Sequence, residues 1–209
     1  MIADAHSHNH SADAIVNIGI GDTIVGDACS IGVHPWNTSD HAAAMRDLET
    51  LSQRCGDERI VAIGEAGLDR LRGGDMEFQL AVFLAQVELS EKTGKPLIIH
   101  TVRTLDEILK TRQTSGAMMP WILHGFRGGV AKMDKVLSAG LHLSIGENFS
   151  RETVAAIPDD ELIIETDEST MSIREIAAKV AKSRNNTADI VMTLSAKNIA
   201  RIFGFPTGV

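Results

Sequence analysis

Eight short apolar runs, helical stripes between most of them, and a length suited to one domain predict an α/β fold. The architecture expected is a (β/α)8 TIM barrel trimmed around its first strands. The runs cover residues 2–6, 14–18, 29–34, 60–65, 96–100, 120–124, 141–145 and 162–167. Several are rich in Val and Ile and bounded by Gly, Pro or Asp, as strands buried on both faces of a parallel sheet should be.

The intervening stripes follow helical spacing. Ala44, Leu48, Leu51 and Cys55 recur at intervals of four, three and four. Leu80, Phe83, Leu84 and Val87 make a second stripe, and Gly94 stands where a C-terminal cap belongs. Val130, Met133, Val136 and Leu137 end before Gly140 in the same way. Ile173, Ile176, Ala177 and Val180 form a further stripe, and Leu194, Ile199, Ile202 and Phe203 close the chain. The connections at residues 7–13 and 19–25 are turn-like and too short for full helices, which places the trimming at the front. With no internal repeat, low-complexity tract or linker, residues 1–209 are expected to be a single domain.

Apolar residues make up 44% and charged residues 23%, ordinary usage for a globular protein with a substantial core. The net charge of −8 argues against a broad surface that grips nucleic acid through phosphates, so local charge must decide the partner. No positive region precedes an apolar run near the start, and no stretch of about 18 apolar residues occurs. A cytoplasmic location with no membrane contact is therefore expected. Cys29 and Cys55 form no spaced framework and read as free core thiols, and the scattered methionines read as core filling.

Four runs terminate on metal-type ligands: Glu65, His100, His124 and Asp167, while the first run leads directly into His6 and His8. In a parallel barrel the carboxyl ends of the strands share one face, so residues remote in sequence converge there. His6 and His8 lie two apart on an extended strand and point to the same side, as a chelating pair must. Four histidines and two carboxylates suit Zn, Mn, Fe, Ni or Mg better than a thiolate-preferring metal. Six ligands are many for one ion and reasonable for two that share a carboxylate. Taken singly, each histidine could be a hydrogen-bonded structural residue, and Gly-Glu-x-Gly a turn with a solvated acid. Their joint placement at strand ends favours a metal site.

Asp4-x-His6-x-His8, Gly32-Val-His34-Pro35, Gly64-Glu65-Ala66-Gly67-Leu68-Asp69, His100 with Arg103, His124-Gly-Phe126 and Glu165-Thr166-Asp167, in that order, resemble the TatD family of metal-dependent deoxyribonucleases. Asn198-Ile-Ala-Arg-Ile-Phe203 resembles that family's final helix. The resemblance implies a TIM barrel of metal-dependent hydrolase type with two divalent ions (Zn, Mg, Mn or Ni). It implies that His6 and His8 hold one ion, Glu65 bridges, His100 and His124 serve the second, and Asp167 is ligand and proton acceptor. The chain departs from the family pattern in being shorter. Glu168-Ser169-Thr170 follows Asp167 where Ala-Pro-Tyr is usual, and Arg70 stands where an aromatic residue is common. With no tyrosine in the chain, base-stacking platforms are expected to be scarce.

The expected activity is metal-dependent hydrolysis of phosphodiesters, DNA foremost, with water activated at a two-metal site and Asp167 moving the proton. A hydrolase of a small phosphoester, lactone or amide uses the same cage, and a non-catalytic metal-binding protein is the third reading. No obligate protein partner is evident. Arg70, Arg103 and Arg127 follow strand-end ligands and are candidate phosphate binders; the alternative for each is pairing with a local acid such as Asp69 or Asp106. Asp4 is expected to orient a ligand histidine. His34 is expected near the substrate, or as part of a rigid loop packed around Pro35 and Trp36. His10 reads as an exposed turn residue, and His41 and His142 carry no signal.

Overall fold

The computed structural model describes residues 1–206. Seven strands hydrogen-bond in chain order: β1 (Asp4–Ser7), β2 (Ala14–Ile18), β3 (Cys29–Ile31), β4 (Ile60–Asp69), β5 (Leu97–Val102), β6 (Trp121–Leu123) and β7 (His142–Leu143). The helices are α1 (His41–Arg54), α2 (Met76–Thr93), α3 (Leu105–Ser115), α4 (Val130–Ser138), α5 (Arg151–Ala156), α6 (Ile173–Arg184) and α7 (Ala188–Phe203). No helix stands between β1 and β2 or between β2 and β3, so the expected trimming at the front holds. Helices α3 and α5 correspond to none of the apolar stripes expected from the sequence. In α3 only Ile108 and Thr111 are buried, too few to draw an apolar period.

Contacts divide the chain into two compact units, one of residues 1–16 with 123–206 and one of residues 17–122. In the second unit, β3, β4 and β5 pair in parallel, with Ile31 opposite Ile63 and Gly67 opposite His100. Ile31, Ile60, Ile63, Leu97 and Ile99 are fully buried, the burial on both faces that their composition requires. The strand expected to stop at Glu65 runs on to Asp69. It pairs with β5 as far as Asp69, with a shift in register between Ile63 and Ala66 flanked by Gly64 at φ 151° and Gly67 at φ 139°. Both angles lie where L side chains are strained. Space is equally restrictive, because a Cβ on Gly67 would lie 2.0 Å from the His100 carbonyl oxygen.

Helix α2 anchors this unit through polar groups. Its N-cap is Asp75, which accepts from Phe78 N, and Gly94 ends it at φ 68° as the sequence suggested. On its buried face Gln86 accepts from Val33 N at 2.8 Å and donates to Val33 O at 3.0 Å. Gln79 does the same for the backbone of Asp69, at 2.8 and 2.9 Å. Two glutamines thus hold the exits of β3 and β4.

In the first unit, the run expected at residues 162–167 is not a regular strand. Isolated bridges join Ile164 to Ile145 and Asp4, and Asp167 to Ser7. Its backbone is nonetheless paired on both sides. Glu165 N donates to Ile145 O at 3.0 Å, Ala5 N donates to Ile164 O at 3.0 Å, and Asp167 N donates to His6 O at 2.9 Å. Helices α6 and α7 pack here through Ile176, Val180 and Ile199, all fully buried. A capping box between Ser172 and Glu175 starts α6.

Gly67→Ala is expected to lower unfolding stability by at least about 2–3 kcal/mol through the positive φ and the collision with β5. The urea midpoint measures it, and a shift equivalent to under about 1 kcal/mol would show that the strands can separate at that point.

Candidate metal and catalytic site

The first unit carries five of the relevant groups. β1 ends in alternation, so His6 and His8 project to one side, and their rings meet edge to face with centroids 5.2 Å apart. Asp167 is brought to them by the backbone: its N–H donates to His6 O, and His8 N donates to its carbonyl at 3.0 Å. Its Oδ1 lies 3.7 Å from Nε2 of both imidazoles. Asp167 adopts φ 54°, a left-handed conformation that aspartate tolerates better than most residues. The His124 ring centroid lies 4.7 Å from that of His6. Ligand atoms of His6, His8 and Asp167 all fall within 4.8 Å of one another, as do those of His124, Glu165 and Asp167.

Glu165 was not expected to do more than belong to a motif, yet it is fully buried and organises this cluster. Its Oε1 accepts from Gly125 N at 2.5 Å and lies 3.6 Å from His124 Nδ1, while Ser144 Oγ donates to its Oε2. Burial alone would raise its pKa. Hydrogen bonding and charge from His124, the charge of His6 and the Ser144 hydroxyl outweigh that and hold it below the usual carboxylate value. A carboxylate beside one ring nitrogen of an imidazole favours a proton there and so leaves the other nitrogen to a ligand.

Asp4 is expected from the sequence to orient a ligand histidine. Its carboxylate instead accepts from backbone and hydroxyl: from Thr166 N at 3.0 Å, Thr166 Oγ1 at 2.6 Å and His6 N at 3.3 Å. It ties together the two segments that bear His6 and Asp167 and does not touch a ring nitrogen in those bonds. Burial pushes its pKa up to about 7, with the Thr166 hydrogen bonds pulling the other way.

The second unit carries its own cluster. His34 Nε2 and His100 Nδ1 each lie 3.8 Å from Glu65 Oε1, and the three donors fall within 4.8 Å of one another. His34 also caps the turn at Pro35–Ser39, where its Nδ1 accepts from Trp36 N at 3.1 Å. His34, expected beside the substrate or in a rigid loop, is thus both a loop cap and a potential ligand. His100 is gripped from behind by Asp69, whose Oδ2 lies 3.2 Å from His100 Nε2 and accepts from Trp36 Nε1 at 2.6 Å. Burial would raise the Asp69 pKa. The bonds from Trp36, Leu71 N and His100 hold it below the usual value. Asp69, Gln79 and Gln86 act as supports that the ligand motifs do not announce. A signal existed, since Gln79, Phe83, Gln86 and Ser90 recur at four, three and four, a half-polar stripe that is buried.

Of the three arginines, Arg70 pairs with Glu107 and donates to Arg103 O at 3.2 Å, so a local acid does hold it, from α3. Arg103 is exposed at φ 56°. Arg127 is exposed, and its charge helps lower the pKa of Glu147. His10 is exposed, His41 stacks on Phe78, and His142 binds Glu161 at 2.6 Å, as structural residues do. Among the described residues no helix is long and apolar enough to cross a membrane.

Parallel strands alternating with helices, and imidazole–carboxylate clusters borne on the strands or just after them, define a metal-dependent hydrolase type of fold and site. The chain belongs to the TatD related DNase family, whose pattern it matches over residues 25–204. It is 26% identical to the uncharacterized metal-dependent hydrolase YabD of Bacillus subtilis (strain 168), over 83% of this chain and 76% of that one. It is 29% identical to the 3'-5' ssDNA/RNA exonuclease TatD of Erwinia billingiae, over 74% of this chain and 62% of that one. The crystal structure of YjjV, a TatD homologue from Escherichia coli K12, superposes with a TM-score of 0.72 at 22% identity. It covers 85% of this chain and 77% of that one. The barrel-type α/β class expected from the sequence is therefore the one adopted.

Glu165→Gln is expected to weaken divalent-ion binding by about 10- to 100-fold by freeing the His124 ring. Isothermal titration with Zn or Mn reads it, with far-UV circular dichroism as the check on folding; unchanged affinity would remove Glu165 from the metal centre.

Proposed function

We propose that the protein is a metal-dependent phosphodiesterase that cleaves nucleic acid, DNA foremost. The observation that carries this is the pair of ligand clusters: His6, His8 and Asp167 with His124 and Glu165 in one unit, and His34, Glu65 and His100 in the other. Donor sets of nitrogen and oxygen fit Zn, Mn, Ni or Mg, and each cluster takes one divalent ion. The relative from Erwinia that is named a 3'-5' ssDNA/RNA exonuclease supports a nucleic-acid substrate. The 209 residues act as one catalytic domain. The two buried free thiols suit the reducing cytoplasm.

Bound divalent ions supply Lewis-acid polarisation and lower the pKa of water. The chain's own residues do the rest. Asp167, partly exposed beside His6 and His8, takes the proton of the attacking water at Oδ1 and returns it to the leaving oxygen. Asp4 holds that carboxylate's segment against β1, and Glu165 fixes His124. Glu65, with His34 and His100, would hold the second ion. Arg103 and Arg127, both exposed, offer guanidinium forks to phosphate oxygens, while Arg70 contributes through its hold on Glu107 and the Arg103 carbonyl.

The assay is direct. Metal-loaded protein is incubated with single-stranded DNA, duplex DNA and a chromogenic phosphodiester, with and without chelator. Chelator-sensitive DNA cleavage is expected. Activity confined to the small ester would move the assignment to a small-ester hydrolase, and silence under several metals would leave a metal-binding protein. Asp167→Asn is expected to abolish turnover while metal content, read by atomic emission, largely survives; retained turnover would refute the proton-transfer role. Arg127→Ala is expected to reduce the salt slope of DNA binding by about one, the contribution of a single phosphate contact. An unchanged slope would remove Arg127 from the substrate path.

A further inference from the structure

The chain has two tryptophans with opposite environments. Trp121 is fully buried, whereas Trp36 keeps 42% of its surface exposed. Leaving a large aromatic ring in water forfeits the free energy that burial would return, so an exposed indole that is also rigidly held calls for a reason. Trp36 is held at every available handle. Pro35 and the His34 cap set its backbone in the short turn after β3. Its Nε1 donates to Asp69 at 2.6 Å, fixing the ring's direction. Its ring meets His34 at 4.7 Å and His100 at 5.7 Å between centroids, at interplanar angles of 75° and 78°. The indole thus borders the His34–Glu65–His100 cluster itself.

Arg72 completes the arrangement. Its guanidinium carbon lies 4.4 Å from the Trp36 ring centroid, a cation–π contact. Its side chain is exposed, and among the described residues no carboxylate pairs with it. A flat cation lying on a fixed indole presents a planar, positively charged surface next to candidate metal ligands. We propose that Trp36 and Arg72 form the stacking platform that receives a nucleobase of the substrate beside the second unit's metal cluster. The inference rests on the phosphodiesterase reading and adds how that enzyme distinguishes a nucleic acid from any other phosphodiester. Base stacking on an aromatic face is tolerant of sequence, and an arginine on the same surface adds attraction for both the base and the neighbouring phosphate. The scarcity of platforms expected from the absence of tyrosine is met by an indole expected from the sequence to pack in a rigid loop.

The test compares two single-stranded substrates with the same backbone: an oligothymidylate, and an abasic oligonucleotide of equal length. Wild-type protein loaded with Mn is expected to show a KM lower for the oligothymidylate by about 5- to 100-fold, the worth of one stacked base. That preference should collapse to within about twofold of unity in Trp36→Leu, survive in Trp36→Phe, and shrink in Arg72→Ala. Intrinsic fluorescence gives a second readout, because Trp36 is the exposed indole. Phosphorothioate oligothymidylate should quench emission of the wild type, and the abasic strand or the Trp36→Phe variant should show no such change. A wild-type KM equal for both strands overturns the platform while leaving the hydrolase reading intact. Loss of kcat on both strands alike in Trp36→Leu, with the preference kept, also overturns it and makes Trp36 a positioning residue acting through Asp69 and His100. Cleavage of neither strand by the wild type defeats the phosphodiesterase reading, and the platform falls with it.

Discussion

The exchange of backbone hydrogen bonds between β1 and residues 164–167 is the constraint on which the first unit's chemistry depends. Asp167 N reaches His6 O, and His8 N reaches Asp167 O, so a carboxylate and two imidazoles separated by some 160 residues are locked at one level. Side-chain attraction alone would not achieve this, because bringing a carboxylate to two histidines costs chain entropy that ordinary ion pairs do not offset. The ladder bonds and the Asp4 clamp on Thr166 set the positions first. The ligand geometry is a consequence of the strand pairing.

In the second unit the same problem is solved with glycine and buried amides. Gly64 and Gly67 let β4 bulge and still run against β5, which sets Glu65 and Asp69 on the same strand as neighbours of His100. Gln79 and Gln86 then satisfy the backbone of the loops that leave β3 and β4. Irregular backbone next to a site carries polar groups that must be paired if it is to stay rigid, and a glutamine offers both a donor and an acceptor. Each layer supports the one in front of it: glutamine holds Asp69, Asp69 holds His100 and Trp36, and those face the cluster.

Electrostatics reconcile an acidic chain with the proposed phosphodiester substrate. The net charge of −8 is a bulk quantity that opposes long-range attraction to nucleic acid. Locally, carboxylates are occupied: Glu165 and Asp69 are held below their usual pKa by the groups they bind, and Glu107 and Glu147 have arginine neighbours. A divalent ion held at either cluster would offset negative charge locally. The proposed platform acts at short range, the regime in which an exposed indole under a guanidinium counts most.

The sequence by itself determined the strand order, the helical stripes that end at Gly94 and Gly140, the short front connections and the ligand types, because each is written in local periodicity or in residues at run ends. It also singled out His6, His8, Glu65, His100, His124 and Asp167 as candidate ligands, and each falls in a group of side chains that could hold a metal ion. Tertiary structure alone decided which donors meet. His34 joins Glu65 and His100, Glu165 sits behind His124, and Asp4 clamps backbone instead of orienting a ring. It also decided that β4 continues past Glu65 and that Trp36 faces outward. These outcomes depend on register shifts, buried hydrogen-bond partners and ring packing between residues far apart in the chain. A one-dimensional pattern carries residue type and spacing, and those contacts are set only when the strands have paired.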